Sequence, residues 1–180
     1  MTNIPKILQA VKSAALWHGG QKRKGLKAEP YLDHLLAVAA LVSEVTDGPD
    51  MICAALLHDA IEDQKVPAEL IAKMFGAGVA ELVVQVTDDK SKPQAFNKEH
   101  QVSTAAALPD RAKLLKLADK TANLVSLDES PPVGWPKERV LEYVAWSKRV
   151  IEAMGRDQLN PELLAKFDAA AAAVTGKFAS

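Results

Sequence analysis

One stretch constrains the fold of this chain more than any other. The run MICAALLHDAIED, residues 51–63, is apolar for seven residues and then carries a histidine and three carboxylates. On a helix, Ile52 and Asp59 share the stripe that should face the core, and Glu62 and Asp63 continue that stripe. Buried carboxylates are costly unless paired, and acids near a helix C-terminus also oppose the helix dipole. The run therefore predicts a buried helix whose end needs a compensating positive charge.

The rest of the chain is patterned mainly as helices. Apolar residues at helical spacing predict helices over residues 5–18, 31–45, 51–63, 67–76, 79–89, 110–127, 137–155 and 160–174, and the polar stretch 90–101 reads as exposed loop and helix. Asp50 and Asn160 are expected to cap the helices that follow them, and Pro67 to lie in a first turn. Gly76 and Gly155 are expected to end helices. Because no alternating strand pattern of useful length occurs, the prediction is an all-α fold of about eight to nine helices.

Composition narrows the class of protein. A length of 180 residues suits one domain, residues 1–180, with its own core. A net charge of −1 and an aromatic content of 5% argue against a nucleic-acid partner. No signal peptide is recognisable, and the longest apolar run, LLAVAALV, is too short to span a bilayer, so we expect no membrane partner. The single cysteine, Cys53, fits a buried side chain in a reducing, cytoplasmic setting, and the sequence leaves homo-oligomer formation open.

Four residues are candidates for a metal site. His58 and Asp59 are adjacent, so their side chains point about 100° apart on an ideal helix. They can still converge on one ion if other helices supply further ligands. His34 lies on the apolar face of the helix 31–45, and Asp119 lies on a helix stripe with apolar neighbours. Such a mixed nitrogen and oxygen set favours Mn²⁺, Fe²⁺ or Zn²⁺ over Ca²⁺.

Each candidate also has a simpler interpretation. A single histidine on an apolar face is more often a core residue bonded to a backbone carbonyl, and this applies to His34 taken alone. Asp119 taken alone could be a surface acid that pairs with Lys116 or Lys120 at helical spacing. Only the complete set favours metal chemistry.

Other charged residues extend the pattern. Glu62 and Asp63 lie one turn from the candidate ligands, where unligated acids could handle protons, so the pattern indicates hydrolysis rather than a structural metal site. Arg23 and Lys24 shortly precede His34. If His34 is a ligand, these two cations are close enough along the chain to bind phosphates near the ion.

Taken together, the motifs resemble a known family. HGGQKRK, EPYLDH, AALLHDAIED, LVVQVTDDK and AKLLKLADKTANL occur in this order and resemble the hydrolase domain of RelA/SpoT enzymes, which are HD-type metal phosphohydrolases. The similarity spans about residues 5–155 and is strongest to the small stand-alone members, the small alarmone hydrolases and metazoan SpoT homologues. No part of the chain resembles the synthetase, TGS or ACT regions of the long enzymes.

The resemblance implies a fold, a cofactor and a reaction. The fold would be an HD-domain helical bundle, and the bound metal would be Mn²⁺. The reaction would remove the 3′-diphosphate from the stringent-response nucleotides ppGpp and pppGpp, giving GDP or GTP and pyrophosphate, without synthetase activity. A cytoplasmic location would follow.

The resemblance also implies residue roles. The metal ligands would be His34, His58, Asp59 and Asp119, the catalytic acids Glu62 and Asp63, and the substrate contacts Arg23, Lys24, Asn123, Lys90 and Arg139. The chain departs from the family pattern at Leu35, where proline usually follows the first ligand histidine, and at Gln64, where threonine is common. Ala122 and Ser126 also differ, on the side of the nucleoside. The departure at Leu35 concerns only the start of its helix, and the others concern base preference and not the metal.

Three rival functions remain open from the sequence. An HD phosphohydrolase could use the same ligands on another nucleotide, such as the phosphate of NADPH. A non-catalytic nucleotide-binding regulator would not need the intact carboxylate pair. A helical di-iron oxygenase would need more histidines than the chain supplies, since only His18 and His100 remain.

Overall fold

The computed structural model describes residues 3–179. Its α-helices are, in chain order, α1 (Ile4–Trp17), α2 (Tyr31–Val45), α3 (Pro49–Leu57), α4 (Ala60–Gln64), α5 (Ala68–Phe75), α6 (Ala77–Val86), α7 (Gln94–Thr104), α8 (Asp110–Glu129), α9 (Lys137–Ala153) and α10 (Pro161–Phe178). Two 3₁₀ turns follow α7 and α9. The only extended pairing within residues 3–179 consists of isolated bridges, Lys22 with Pro30 and Gly25 with Pro132. The all-α prediction is confirmed.

The predicted single helix over residues 51–63 is two helices, which accounts for a tenth helix. His58 still has helical dihedral angles, but Asp59 has φ −97° and ψ 1°. This sparsely populated bridge region is one where active-site residues are often found. As a result, Glu62 and Asp63 lie on the separate short helix α4, and their directions are not fixed by the apolar stripe of α3.

The predicted helix ends are mostly confirmed, with one correction at the start of α3. Asp50 does not cap this helix; Pro49 occupies the first turn, where its lack of an N–H has no cost. The Asp50 carboxylate instead lies 2.6 Å from Nζ of Lys6 on α1. At α10, Oδ1 of Asn160 accepts a hydrogen bond from the backbone N–H three residues later, as predicted.

The C-terminal ends of α5 and α9 are also as predicted, and the start of α5 differs by one residue. Pro67 lies immediately before α5, one residue earlier than expected. That helix ends at Gly76, which has a φ of +96°. Gly155, with a φ of +80°, follows the last residues of α9.

The helix α3 lies at the centre of the core. Every residue from position 51 to position 57 is buried, because α1, α2 and α6 all pack against this helix. The helix α8 packs on α2 and α10, and one cluster of buried apolar side chains runs from Ala10 to Val174. Cys53 is fully buried, and burial raises the pKa of its thiol to about 11. Within residues 3–179, no helix combines the length and apolarity needed to cross a bilayer.

The loop between α1 and α2 is held by backbone hydrogen bonds. Within it, the N–H of Arg23 donates to the carbonyl of Glu29 at 2.9 Å. The loop also joins the segment that follows α8, because the N–H of Val133 donates to the carbonyl of Lys24 at 3.0 Å. These bonds fix the positions of two of the predicted substrate residues.

Gly25 allows this loop to approach the segment after α8, and its replacement should be costly. A Cβ atom at this position would lie 2.4 Å from both the carbonyl oxygen and Oγ of Ser130. We expect Gly25→Ala to lower the free energy of unfolding by about 1–3 kcal/mol through this overlap. Gly20→Ala is the matched control, because a Cβ there meets nothing within 4 Å. Urea denaturation measures both, and equal stabilities of the two variants would contradict the prediction.

Candidate metal centre and catalytic carboxylates

The four predicted metal ligands meet at one place in the structure. His34 lies on α2, His58 and Asp59 lie at the break between α3 and α4, and Asp119 lies on α8. The Nε2 atom of His34 is 3.2 Å from Oδ1 of Asp119, and Nε2 of His58 is 3.1 Å from Oδ2 of Asp59. The two imidazole ring centroids are 5.4 Å apart. Three segments that are distant in the sequence therefore direct nitrogen and oxygen atoms to a common point.

The donor set fits a divalent cation. Atoms of His34, His58 and Asp59 that could bind a metal all lie within 4.8 Å of one another, and Oδ1 of Asp119 lies 3.6 Å from Nε2 of His58. The Nδ1 atom of His58 is 2.8 Å from the carbonyl of Ala55 and can donate its hydrogen there. This leaves Nε2 as the free nitrogen, and this buried atom has no hydrogen-bond partner. Such a tautomer is the one that a metal-binding histidine needs.

Electrostatics at the centre also call for a cation. Burial alone would raise the pKa of Asp119, but the imidazoles of His34 and His58 beside its carboxylate hold that pKa well below its usual range. Burial lowers the pKa of His34, whereas the adjacent carboxylates outweigh burial at His58 and raise its pKa well above the usual value. The two carboxylates therefore stay ionised and use a neighbouring imidazole as their positive partner. A metal ion would take over that role.

Neighbouring side chains hold the two ligand carboxylates in place. The hydroxyl of Tyr31 donates to Oδ2 of Asp59 at 2.6 Å, and burial raises the pKa of Tyr31 so that this hydroxyl keeps its proton. The Nδ2 atom of Asn123 donates to Oδ1 of Asp119 at 2.6 Å. Arg23 in turn donates to Oδ1 of Asn123 at 2.7 Å. The orientation of each of these two carboxylates is thus fixed by a side chain that is not itself a candidate metal ligand.

Glu62 and Asp63 are neighbours in sequence but have different surroundings. Glu62 accepts a hydrogen bond from the backbone N–H of Asp88 at 3.0 Å, and its other oxygen is 3.9 Å from Nζ of Lys90. Burial, with added repulsion from Asp59 and Asp88, raises the pKa of Glu62 to about 7. Asp63 forms a close ion pair with Lys90. A carboxyl group with a pKa near neutrality suits proton transfer better than one paired with lysine.

A network of amides orients Asp63. The Nε2 atom of Gln21 donates to Oδ2 of Asp63 at 2.6 Å. The side-chain oxygen Oε1 of Gln21 lies 2.7 Å from Nδ1 of His18 and also accepts a hydrogen bond from Nε2 of Gln64. His18 stacks on Tyr31 with ring centroids 5.2 Å apart, and its backbone N–H also closes the end of α1. His18 therefore supports the network around Asp63 and also closes the end of α1.

Two connected cavities surround these groups. The inner cavity, of about 180 Å³, is lined by the four candidate ligands and Glu62. The outer cavity, of about 660 Å³, shares part of its wall with the inner one and falls within the usual size range of small-molecule sites. Its lining includes six cationic residues, Lys22, Arg23, Lys24, Lys90, Lys92 and Lys98, and four aromatic residues, Tyr31, Trp135, Tyr143 and Trp146. The outer cavity therefore suits an anion that carries a planar ring.

Four of the five predicted substrate residues line these cavities. Arg23, Lys24 and Lys90 line the outer cavity, and Asn123 lines both cavities. Arg139 lines neither of them; its guanidinium lies 4.4 Å from the ring centroid of Trp135, which forms part of the outer wall. Arg139 can therefore affect the outer cavity only through this aromatic side chain.

Sequence reasoning missed several residues at this site, above all Tyr31 and two lysines of α8. Tyr31 precedes His34 by three residues, and this helical spacing could have revealed it. Lys116 and Lys120 were considered only as surface partners of Asp119, but both are buried and line the inner cavity. Burial, which Asp119 only partly opposes, lowers the pKa of Lys120 to about 8.

Comparisons with known proteins agree with this geometry. A family model described as HD domain matches residues 10–141. The chain is 42% identical over 151 residues to guanosine-3′,5′-bis(diphosphate) 3′-pyrophosphohydrolase MESH1 of Danio rerio, which covers 82% of this chain and 83% of that protein. The protein of the same name from Drosophila melanogaster is 39% identical over 161 residues, or 88% of this chain and 89% of the relative.

The fold also matches a solved structure. That structure, described as a metazoan orthologue of SpoT that hydrolyses ppGpp and plays a role in starvation responses, superposes with a TM-score of 0.88 at 36% identity. The match covers 96% of this chain and 94% of that chain. The chain therefore belongs to the HD domain family and, within it, to the family of the MESH1 proteins.

Proposed function

We propose that this chain hydrolyses the 3′-diphosphate of ppGpp and pppGpp, giving GDP or GTP and pyrophosphate, with no synthetase activity. The observation that carries the proposal is the meeting of the four candidate ligands beneath a cavity lined with cations and aromatic rings. The MESH1 relatives, at about 40% identity, are named for this reaction. The proposed partner is the nucleotide, with homo-oligomer formation left open, and the free buried thiol of Cys53 suits a cytoplasmic setting.

The proposed ligands are His34, His58, Asp59 and Asp119, and the proposed cofactor is Mn²⁺. Two imidazoles and two carboxylates form a donor set that suits Mn²⁺, Fe²⁺ or Zn²⁺, and the resemblance to RelA/SpoT hydrolases favours Mn²⁺ among these. A divalent ion held here would offset phosphate charge and make a nearby water more acidic.

The two remaining carboxylates take different roles in the proposal. Glu62 lines the inner cavity and accepts the proton of the water that attacks the phosphorus next to the 3′ oxygen. The bond between this phosphorus and the 3′ oxygen then breaks: the pyrophosphate gains the hydroxyl of water, and the 3′ oxygen stays with the nucleoside and takes up the proton that Glu62 accepted. Asp63 instead holds Lys90 and Gln21, and therefore positions a cation at the entrance to the inner cavity.

The outer cavity holds the nucleotide in this proposal. Arg23 and Lys24 lie on the anchored loop after α1, where they can contact phosphates or stack on a base. Asn123 links Arg23 to the ligand Asp119 and couples the substrate cations to the metal centre. Arg139 is proposed to act through Trp135, because its guanidinium lies over the ring of this residue in the cavity wall.

Turnover of ppGpp with and without Mn²⁺ tests the proposal directly. We expect GDP and pyrophosphate in equal amounts with Mn²⁺, and loss of turnover after chelation, because the ligand carboxylates then lack their ion. Release of orthophosphate from NADPH without action on ppGpp would instead favour the rival phosphohydrolase. Binding of ppGpp without any turnover would favour a regulator.

Replacement of the two acids should separate their roles. We expect Glu62→Gln to lower kcat by about 10²–10⁴-fold because the proton acceptor is lost, and Asp63→Asn to lower it less. Both variants should keep the Mn²⁺ content of the parent protein, measured by atomic absorption, since neither acid is a proposed ligand. Asp89→Asn, an exposed acid that lines neither described cavity, is the control. Unchanged turnover in Glu62→Gln would contradict the assignment.

The pH profile should follow the ionisation of Glu62. Because its pKa is raised to about 7, the group is protonated and inactive as a base below that pH. We expect kcat at saturating Mn²⁺ to fall about tenfold per pH unit below the pKa of Glu62 and to level off above it; the positive charge of the ion moves this break below 7. Asp63→Asn should keep this acidic limb, and the residual activity of Glu62→Gln should lose it. An acidic limb that persists in Glu62→Gln would assign the titration to another group.

A further inference from the structure

Two lysines on α8 line the inner cavity and are not used by the proposed mechanism. Lys116 is 7% exposed and Lys120 is 3% exposed. Lysine is rarely buried to this degree unless its charge is paired, because removing an ammonium from water is costly. Both side chains border the same small cavity as the proposed metal ligands. Their burial therefore needs a counter-charge.

The protein supplies only part of that counter-charge. Nζ of Lys120 is 3.9 Å from Oδ2 of Asp119 and 3.9 Å from the ring centroid of Trp146. Asp119 already faces two imidazoles, however, and an aromatic face offers only a weak attraction. Among residues 3–179, no carboxylate oxygen lies within 4.0 Å of the Lys116 ammonium. Asp59, Glu62 and Asp88 also line the cavity, but the Lys116 ammonium has no direct carboxylate partner within the described residues and can pair with an anion that enters.

The position of the pair identifies the anion as a phosphate group. The inner cavity, of about 180 Å³, has room for a phosphate together with water molecules. In the proposed reaction, the attacked phosphorus must lie next to the ligand carboxylates and Glu62. The 3′ arm of the substrate carries one more phosphate beyond this atom, and that phosphate is the only part of the substrate that extends further into the cavity.

We infer that Lys116 and Lys120 form a subsite for the terminal phosphate of the 3′-diphosphate. The inference rests on the proposed function. It adds a reason why the enzyme would release pyrophosphate rather than orthophosphate. A 3′-diphosphate neutralises both ammoniums, whereas a single phosphate at the same position leaves them unpaired in a buried place. Sites with buried charged groups reject ligands that fail to pair with them. The subsite therefore selects transfer of a pyrophosphoryl group to water over transfer of a phosphoryl group.

Inhibition by inorganic pyrophosphate tests the subsite in the Mn²⁺-loaded protein. Lys116→Met keeps the length of the side chain and removes its charge. We expect it to raise the inhibition constant of pyrophosphate about 10-fold or more, and to leave that of GDP within about twofold. The ratio of kcat/KM for ppGpp to that for guanosine 5′-diphosphate 3′-monophosphate should fall by a similar factor. Lys113→Met is the matched control, since Lys113 is 7% exposed on the same helix but lines neither described cavity.

The outcomes separate this inference from the proposed function. An unchanged inhibition constant for pyrophosphate in Lys116→Met, with wild-type Mn²⁺ content and wild-type turnover of ppGpp, overturns the subsite and leaves the proposed function standing. If the parent protein does not hydrolyse ppGpp, the proposed function fails. The subsite is then tested by calorimetric titration with pyrophosphate. Weaker binding by Lys116→Met than by the parent protein supports the subsite, and equal binding overturns it. Lys120→Met provides a second variant, and thermal unfolding confirms that each variant is folded.

Discussion

The structure depends on one electrostatic constraint: two partly buried carboxylates and two buried imidazoles from three distant segments are packed against one another. Asp59 and Asp119 stay ionised only because His34 and His58 lie within 4 Å of them. This arrangement links the packing of α2, α3 and α8 to the charge state of the centre. A cation that binds there stabilises the folded state, because the same four atoms do not meet in the unfolded chain.

The helix α8 provides both signs of charge to this centre. It packs against α2, α6, α9 and α10, so few of its faces are free and even its lysines are buried. Along one side it carries Lys116, Asp119, Lys120 and Asn123, spaced so that all four reach the inner cavity. In the proposed function Asp119 binds the metal, and the two lysines place ammonium groups beside it in the wall of the same cavity. A single helix thereby joins the metal centre to the proposed phosphate subsite.

The helices could be predicted from the sequence because helical periodicity is a local pattern, and the structure brings the four predicted ligand residues together. Helical periodicity located nearly every helix, and the resemblance identified His34, His58 and Asp119 although they lie far apart in the chain. The break at Asp59 was not predictable, since the apolar stripe continues through it and only tertiary contacts oppose the helix. The bond from Gln21 to Asp63 spans 42 residues, and the burial of Lys116 depends on neighbours that no local pattern reveals. Arg139 was predicted as a substrate contact by motif position alone; in the structure it lines neither described cavity, and its guanidinium lies over the ring of Trp135.

The break at Asp59 also explains how two adjacent carboxylates acquire different chemistry. On one continuous helix, Glu62 and Asp63 would extend the buried stripe, and both would face similar surroundings. On the separate helix α4, Glu62 borders the inner cavity with only a backbone N–H and a distant lysine, so its pKa rises to about 7. Asp63 meets Lys90 and Gln21 instead. Where neighbouring acids have such different environments, the group with the raised pKa is the one suited to exchange protons, and the paired group is suited to hold others in place.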